Sequence, residues 1–301
     1  MKYLVTGGAG FIGGHVCEAL LKQGHHVRVL DNLSTGKHEN LPPGAVLVEA
    51  DFCDLEAIRF AFHGVDGVFH LGALPRVPYS VVFPAESSEA NIMGTVNVLV
   101  AARDAKVKRV VYSASSSAYG DQERLPMQPD MTPNPLNPYA LQKYVGELWM
   151  KQFATLYGIE TVSLRYFNVY GQRMANDGAY VTVIAIFLRQ RLANESLTIE
   201  GDGLQTRDFT HVHDVVRANL LAMKSPQVGK GEVLNVGSGD AHSVKEIAEL
   251  IGGPVVFKES RKGDAKATLA DISRTRELIG WEPQVKFKDG LDDLLRLNGL
   301  K

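Results

Sequence analysis

The stretch VTGGAGFIGGH, residues 5–15, joins an apolar run to a helical pattern through a glycine-rich loop. Gly7, Gly10 and Gly13 recur in it as G-x-x-G-x-x-G. Glycines at this spacing allow a tight turn, a close backbone approach to a pyrophosphate and close packing of helix on strand. The start of the helix adds unpaired N–H donors and the positive end of the helix dipole. Because strand, loop and helix follow in the required order, the stretch predicts a dinucleotide-binding unit, with Phe11 and Ile12 among the cofactor contacts.

Short apolar runs alternate with helical patterns through the first half of the chain. The runs predict buried strands at 2–7, 26–31, 45–51, 67–72, 109–115 and 160–166, with a further candidate at 232–239. Helical patterns occupy 11–24, 55–64, 85–105 and 137–158. This alternation predicts right-handed βαβ crossovers and a parallel sheet covered on both faces. We therefore expect an α/β fold, a doubly wound Rossmann-type parallel sheet with a smaller α/β substrate-binding lobe.

The pattern changes after Tyr166, where polar loops, one helix (about 180–193) and turn-rich segments replace the alternation. Residues 1–166 plus about 211–238 are predicted to form the dinucleotide-binding domain. About 167–210 plus 239–301 are predicted to form the smaller lobe, assembled from two separated stretches.

The composition excludes several classes of partner. The 301 residues include 32 Lys and Arg against 34 Asp and Glu, a formal net charge of −2, so no global field favours nucleic acid or a membrane surface. The two cysteines, Cys17 and Cys53, cannot form a disulfide framework and have no metal-ligand spacing. We expect a soluble cytoplasmic protein that binds neither nucleic acid nor a membrane, with no metal site.

Carboxylates stand where the second and third strands end. Asp31, followed by Asn32, lies at the distance from the glycine loop expected for a carboxylate that binds the adenosine ribose. A carboxylate there repels a 2′-phosphate, which favours NAD over NADP. Asp51 and Phe52 are expected at the adenine edge. The alternative for Asp31 and Asn32 is an ordinary turn at the end of the strand, since Asp and Asn are good turn residues. Leu71 and Ala73, after the fourth strand, are expected beside the cofactor phosphates.

Tyr139 and Lys143 lie four residues apart near the start of a helix that Asn137 can cap. Residues at i and i+4 share a helix face, so the ammonium can sit near the phenol. A neighbouring cation favours phenolate and lowers the pKa of the tyrosine toward neutrality, where it can serve as a base. The alternative is an amphipathic helix in which the spacing is accidental.

The chain resembles the extended short-chain dehydrogenase/reductase family, and within it the UDP-hexose 4-epimerases. The resemblance rests on TGGAGFIG (6–13), DNLSTG (31–36), SASSSAYGD (113–121), PYALQK (138–143), LRYFNVYG (164–171), GDGLQTRDFTHVHDV (201–215) and RKGDAKATLADISRTRELIGW (261–281). It implies a tightly held NAD⁺ that oxidises C4 of a UDP-sugar to a 4-keto intermediate, followed by return of the hydride to the other face. It also implies a homodimer formed through a four-helix interface, which the apolar faces of the helices at about 84–104 and 137–157 permit.

The resemblance assigns roles residue by residue. Tyr139 is the implied base, Lys143 binds the nicotinamide ribose and tunes Tyr139, and Ser115 is the active hydroxyl, while Ser113 stays inside the strand. The other implied cofactor contacts are Asn91 and Tyr166. The implied UDP-sugar contacts are Ser116, Ser117, Asn168, Arg207, Arg261, Asp264 and Thr268.

Two absences narrow the chemistry implied. Dehydratases of the family carry Asp-Glu after the active hydroxyl, and related decarboxylases carry Glu where Ser117 stands; here Ser116 and Ser117 occupy these positions. The small side chain of Thr268 is expected to leave room for an N-acetyl group on the sugar. A UDP-glucuronate 4-epimerase, a dehydrogenase that releases NADH and a non-catalytic NAD-binding protein remain as alternatives.

Overall fold

The computed structural model describes residues 1–174, 182–259 and 266–301. Its strands, numbered in chain order, are β1 (Lys2–Thr6), β2 (His26–Asp31), β3 (Val46–Glu49), β4 (Gly67–His70), β5 (Arg109–Ser115), β6 (Glu160–Tyr166), β7 (Val169–Tyr170), β8 (Leu197–Glu200), β9 (Thr206–Asp208), β10 (Thr210–His211), β11 (Lys230–Val236), β12 (Ala241–Ser243) and β13 (Val255–Lys258). The α-helices are α1 (Phe11–Lys22), α2 (Leu55–Ile58), α3 (Val77–Val82), α4 (Pro84–Ser88), α5 (Gly94–Asp104), α6 (Pro138–Tyr157), α7 (Val183–Leu192), α8 (Val212–Lys224), α9 (Val244–Ile251), α10 (Ser273–Ile279) and α11 (Phe287–Leu297).

One parallel sheet organises the larger part of the molecule. In the described residues its seven strands run in the order β11-β6-β5-β4-β1-β2-β3. One apolar core fills the face under α1 and α8, and a second fills the face under α2, α5 and α6. Such two-sided burial explains why the strands are near-continuous Val and Leu runs rather than alternating ones. The predicted fold class is confirmed, and the candidate strand at 232–239 is β11, which pairs in parallel with β6.

Two predicted helices are interrupted. The segment 55–64 begins as α2 and tightens into a 3-10 turn over Arg59–Phe62. The segment 85–105 is divided by a π-turn over Glu89–Met93, between α4 and α5. This turn contains Asn91, whose side chain bonds to the backbone of Leu74 across the packed interface. Such a tertiary contact is invisible to helical periodicity, and π-turns often occur near functional sites.

The smaller lobe has its own apolar core, formed by α7, α9 and α11 together with short strands. Those strands make three two-stranded sheets: β10 with β7, β12 with β9 and β13 with β8. Between the two stretches of this lobe, the chain returns to the large sheet as α8, which packs on α1, and as β11. Within the described ranges, no helix is both long enough and apolar enough to cross a membrane.

Candidate functional site

A cleft of about 1240 Å³ opens at the carboxyl ends of the central strands. The strand order reverses between β1 and β4, the place where doubly wound sheets bind their ligands. Every described residue that the sequence assigned to cofactor, catalysis or substrate lines this cleft, with the exception of Asn91. Arg261 and Asp264 lie outside the described residues. The residues with predicted roles are thus brought together in one cavity.

The glycine loop forms the floor at one end of the cleft. Gly7 has a positive φ of 67°, and a Cβ on it would lie 2.7 Å from the Cα of Gly72. A Cβ on Gly13 would overlap the carbonyl oxygen of Gly7, so the first turn of α1 packs directly on the loop. The N-cap, Gly10, has no side chain to bond the first N–H groups of α1. An anion is the group that such a bare, positive helix start fits, as a cofactor pyrophosphate requires.

Two carboxylates line the adenosine end. The carboxylate of Asp31 accepts hydrogen bonds from the backbone N–H groups of Ala9 at 3.0 Å and Leu33 at 2.9 Å, which fix its position after β2. Asp51 accepts from the Asn32 amide at 3.0 Å and from the Cys53 N–H at 2.8 Å. Burial pulls the pKa of Asp51 upward, but the hydrogen bonds outweigh it and leave the pKa below its usual value. The glycine loop and the fixed carboxylate of Asp31, at the end of β2, together fit NAD.

Asn91 and Tyr166 support the cleft in different ways. Asn91 is buried behind the wall, where its amide bonds to the backbone N–H and carbonyl of Leu74 at 2.8 and 3.0 Å, and to Gln142 at 2.8 Å. It therefore holds the loop after β4 and does not reach the cavity surface. Tyr166 lines the cleft at the end of β6, with its hydroxyl bonded to the Asn219 amide.

The tyrosine and lysine occupy the first turns of α6. The Asn137 side chain caps this helix by accepting from the Ala140 N–H at 3.0 Å, as predicted. The backbone N–H of Tyr139 donates to Ser80 Oγ on α3 at 3.1 Å, which anchors the start of the helix. Tyr139 and Lys143 both face the cleft. The ammonium of Lys143 donates to the carbonyl of Ser113 at 2.8 Å, so it is held against β5.

The electrostatics of Lys143 suit a proton relay. Its side chain is buried, and burial lowers its pKa to about 7 while the Glu147 carboxylate, one helical turn away, opposes the decrease. The ammonium also lies 4.9 Å from the centre of the Tyr112 ring. A lysine in this range exchanges its proton near neutral pH, where its charge can favour the phenolate of a neighbouring tyrosine.

The serine cluster is resolved into different roles by its hydrogen bonds. Ser113 lies within β5 and is buried, whereas Ser115 is the last residue of the strand and half-buried. Ser115 Oγ accepts from the Ser117 N–H at 3.2 Å and from the Ser117 hydroxyl at 2.8 Å. With its acceptor capacity used in this way, the proton of Ser115 is available to a ligand oxygen. Ser116 also lines the cleft.

The smaller lobe closes the far end of the cleft with Asn168, Arg207 and Thr268. Asn168 donates to the carbonyl of Asp208 at 2.8 Å, and Thr268 Oγ1 accepts from the Asp208 N–H at 3.2 Å. The guanidinium of Arg207 donates to the Thr206 carbonyl at 2.9 Å. These contacts tie three cleft residues to one short strand, β9.

Sequence reasoning missed several residues that shape the site. The Asp208 carboxylate is fully buried and accepts from the N–H groups of Ser238, Gly239 and Ala270 at 2.6 to 3.0 Å, so it fixes the base of Arg207. Arg76 and Arg173 line the cleft. For Asp208 the available signal was its place beside Arg207, and for Arg76 its place in the segment between β4 and α3.

The histidine that β4 places near the site has a structural role. His70 is buried between the hydroxyls of Thr6 at 2.7 Å and Thr95 at 3.0 Å, and burial lowers its pKa to about 3, which keeps the ring neutral. Among the residues that the structure describes, no three His, Cys, Asp or Glu side chains are grouped to hold a metal ion.

Comparison with known proteins identifies the family of the chain. Residues 3–237 match the model of the NAD dependent epimerase/dehydratase family. The chain is 38% identical over 304 residues to the UDP-glucose 4-epimerase of Mycolicibacterium smegmatis, covering 97% of this chain and 96% of the relative.

Solved structures of similar proteins share the fold over their whole length. The UDP-glucose 4-epimerase of Thermotoga maritima, solved with UDP-glucose, is 40% identical with a TM-score of 0.91, covering 97% of this chain and 96% of that one. The UDP-N-acetylglucosamine 4-epimerase of Methanobrevibacter ruminantium, solved with UDP-N-acetylmuramic acid, is 35% identical with a TM-score of 0.93, covering 98% and 97%. The chain therefore belongs to the NAD dependent epimerase/dehydratase family.

Proposed function

We propose that this protein catalyses reversible, NAD-dependent epimerisation at C4 of a UDP-hexose, with UDP-galactose and UDP-glucose as the principal pair. The observation that carries the proposal is the arrangement along one cleft. Ser115, Tyr139 and Lys143 line it together with the glycine loop and Asp31 on one side and Arg207 on the other. A hydroxyl, a phenol and an ammonium on the same wall are the groups needed to move the proton of a secondary alcohol.

The roles of the residues follow from their contacts. NAD, when bound, would supply reversible hydride transfer at C4 of the sugar. Tyr139 removes the proton of the C4 hydroxyl, and the Ser115 proton bonds to the same oxygen. Lys143, fixed by the Ser113 carbonyl, stabilises the phenolate of Tyr139. The glycine loop and Asp31 hold the cofactor in this proposal, as do Phe11, Ile12 and Asp51.

The diphosphate end of the substrate is assigned to arginines. A guanidinium matches the oxygens of a diphosphate in a bidentate geometry. We assign Arg207 and Arg261 to the diphosphate, Asp264 to the uridine ribose and Asn168, Ser116 and Ser117 to the sugar. The support in the described part of the chain is that the contacts of Asp208 and Thr206 fix the strand of Arg207 at the far end of the cleft.

Product identification tests the proposal directly. Purified protein with bound NAD is incubated separately with UDP-galactose, UDP-N-acetylgalactosamine and UDP-glucuronate, and products are separated while NADH absorbance is recorded. We expect UDP-glucose from UDP-galactose with no net accumulation of NADH. Stoichiometric NADH without an epimer would identify a dehydrogenase, and bound NAD without any turnover would identify a non-catalytic NAD-binding protein.

The breadth of the substrate range is tested at Thr268. Its side chain is small and borders the cleft, so we expect UDP-N-acetylhexosamines to be accepted. Thr268→Tyr should lower kcat/KM for UDP-N-acetylgalactosamine by at least about tenfold relative to UDP-galactose, because the ring fills the space beside C2. Thr268→Ser is the matched control and should leave the ratio unchanged. An unchanged ratio in Thr268→Tyr would contradict the assignment.

One observation favours a second candidate, a UDP-hexuronate 4-epimerase. Arg76 lines the cleft and directly precedes α3. This helix also carries Ser80, which accepts the hydrogen bond from the Tyr139 N–H. Its guanidinium has no carboxylate partner within 4 Å among the described residues. A cation on this side of the cleft suits a sugar with a C6 carboxylate. The UDP-glucuronate reaction above decides between the candidates, since UDP-galacturonate as the faster product would favour the second.

The same proposal includes a homodimer and a cytoplasmic location. Apolar side chains are exposed on α3 and on α6, notably Val81, Val82, Leu141, Leu148 and Trp149. These helices pack on one another, and we propose that a second copy of the chain covers their exposed apolar side chains. A sedimentation mass of a single 32.9 kDa chain would exclude this dimer.

The proposed cytoplasmic location is supported by the two cysteines, which are both free, as expected in a reducing compartment.

A further inference from the structure

A buried ion pair lies directly behind Lys143. The guanidinium of Arg165, on β6, donates from Nε and Nη2 to the two carboxylate oxygens of Glu147, on α6, at 2.8 and 2.7 Å. The side chains are 2% and 3% exposed, and the guanidinium also lies 4.3 Å from the centre of the Tyr119 ring. This is a rigid, bidentate pair held on every side.

Burying such an ion pair carries a desolvation cost that stability alone does not readily explain. Removing two charges from water costs several kcal/mol each, and apolar side chains of similar size often serve stability as well or better. Glu147 follows Lys143 by four residues, as Lys143 follows Tyr139. Residues at this spacing share a helix face, so phenol, ammonium and carboxylate form one line along the buried side of α6.

Apart from Tyr139, whose phenolate is the charge that Lys143 stabilises in the proposed reaction, the groups around Lys143 offer it no negative charge. On β5 it meets the Ser113 carbonyl and the Tyr112 ring, and its charge helps to keep His70, on β4, neutral. Tyr119 and Arg165 lie behind Glu147. On the helices packed against α6, Glu86 and Glu89 are exposed. Within the described residues, Glu147 is therefore the buried carboxylate that acts on the ammonium.

We propose that Glu147, kept ionised by Arg165, is a positioning residue that holds the proton on Lys143. The effect of Glu147 on turnover rests on the proposed function, whereas its effect on the protonation of Lys143 does not. Burial raises the pKa of Glu147, and the hydrogen bonds and charge of Arg165 oppose that increase and offset part of it. Without Arg165 the carboxyl would take up a proton, and its action on Lys143 would be lost.

The substitution Glu147→Gln tests this proposal because it removes the charge and keeps the shape. Loss of a nearby opposite charge destabilises the ammonium, so the pKa of Lys143 should fall by about one unit or more. The alkaline limb of the pH dependence of kcat reports loss of that proton and should move down by the same amount. The Lys143 Cε resonance, assigned with Lys143→Arg and followed by NMR in the protein without substrate, should show the same shift.

Two controls separate this role from a purely structural one. Glu160→Gln breaks the pair with Arg109 at the starts of β5 and β6, and should lower the melting temperature without moving either titration. Glu147→Asp keeps the charge and should move the alkaline limb of kcat at least partly back toward its original pH.

An unshifted Lys143 resonance in Glu147→Gln would overturn the proposal. If that variant does not fold, Arg165→Lys, which keeps the cation, must leave the Lys143 titration unchanged, and a shift there would overturn it instead. Because the resonance is read without turnover, absence of epimerase activity would count against the proposed function alone.

Discussion

Tyr139→Phe is expected to lower kcat for UDP-galactose by about 10²–10⁴-fold, the usual contribution of a positioned acid–base group. The substitution removes one oxygen and keeps the ring, and the backbone bond from residue 139 to Ser80 Oγ survives. The start of α6 and the cleft wall should therefore be unchanged. Steady-state kinetics gives kcat, and calorimetric titration should give unchanged affinity for the UDP-sugar and full occupancy by NAD.

The matched control for this prediction is Tyr144→Phe. Tyr144 lies five residues further along α6, is half-buried and does not belong to the residues that line the cleft. Its substitution should change kcat by no more than about threefold, within the effect of an ordinary surface change. Equal losses in the two variants would mean that the helix is disturbed and that Tyr139 is not the base.

The sequence predicts those parts of the molecule that local pattern controls. The strand runs from β1 to β6 are rich in Val, Leu and other apolar residues because both faces of a parallel sheet are covered, and this leaves a signal that needs no tertiary information. The glycine loop is equally readable, since its spacing is required by the turn itself. The cap at Asn137 and the pair Tyr139 and Lys143 follow from helix geometry alone.

The parts that remained hidden depend on contacts between distant segments. Asn91 bonds to Leu74 and Gln142, 17 and 51 residues away, and periodicity cannot place it behind the cleft wall. Asp208 gains its role from N–H groups 30 or more residues along the chain. Glu147 stands at a readable helical spacing from Lys143. Its ionised state nevertheless depends on Arg165, which only the packing of α6 on β6 brings near.

Gly13→Ala is expected to lower the affinity for NAD by at least about tenfold, equal to 1.4 kcal/mol, and to lower the free energy of unfolding by about 1–3 kcal/mol. Helix propensity alone predicts the opposite, since alanine is favoured over glycine by about 1 kcal/mol within a helix. The steric term should win because a Cβ would overlap the Gly7 carbonyl oxygen and lie 2.8 Å from the Gly8 Cα, both backbone atoms. Calorimetric titration and chemical denaturation measure the two effects.

The control for Gly13 lies at the other end of the same helix. Gly24 has a φ of 77° and a Cβ on it would meet no atom within 4 Å, so Gly24→Ala introduces backbone strain without a collision. It should cost about 1 kcal/mol or slightly more of stability, because a side chain disfavours the left-handed region. Its affinity for NAD should equal that of the unmodified protein, since the cleft lies beyond the opposite end of α1. If both variants lost NAD equally, the loss would reflect stability, and the close fit of Gly13 against Gly7 would not be what forms the cofactor site.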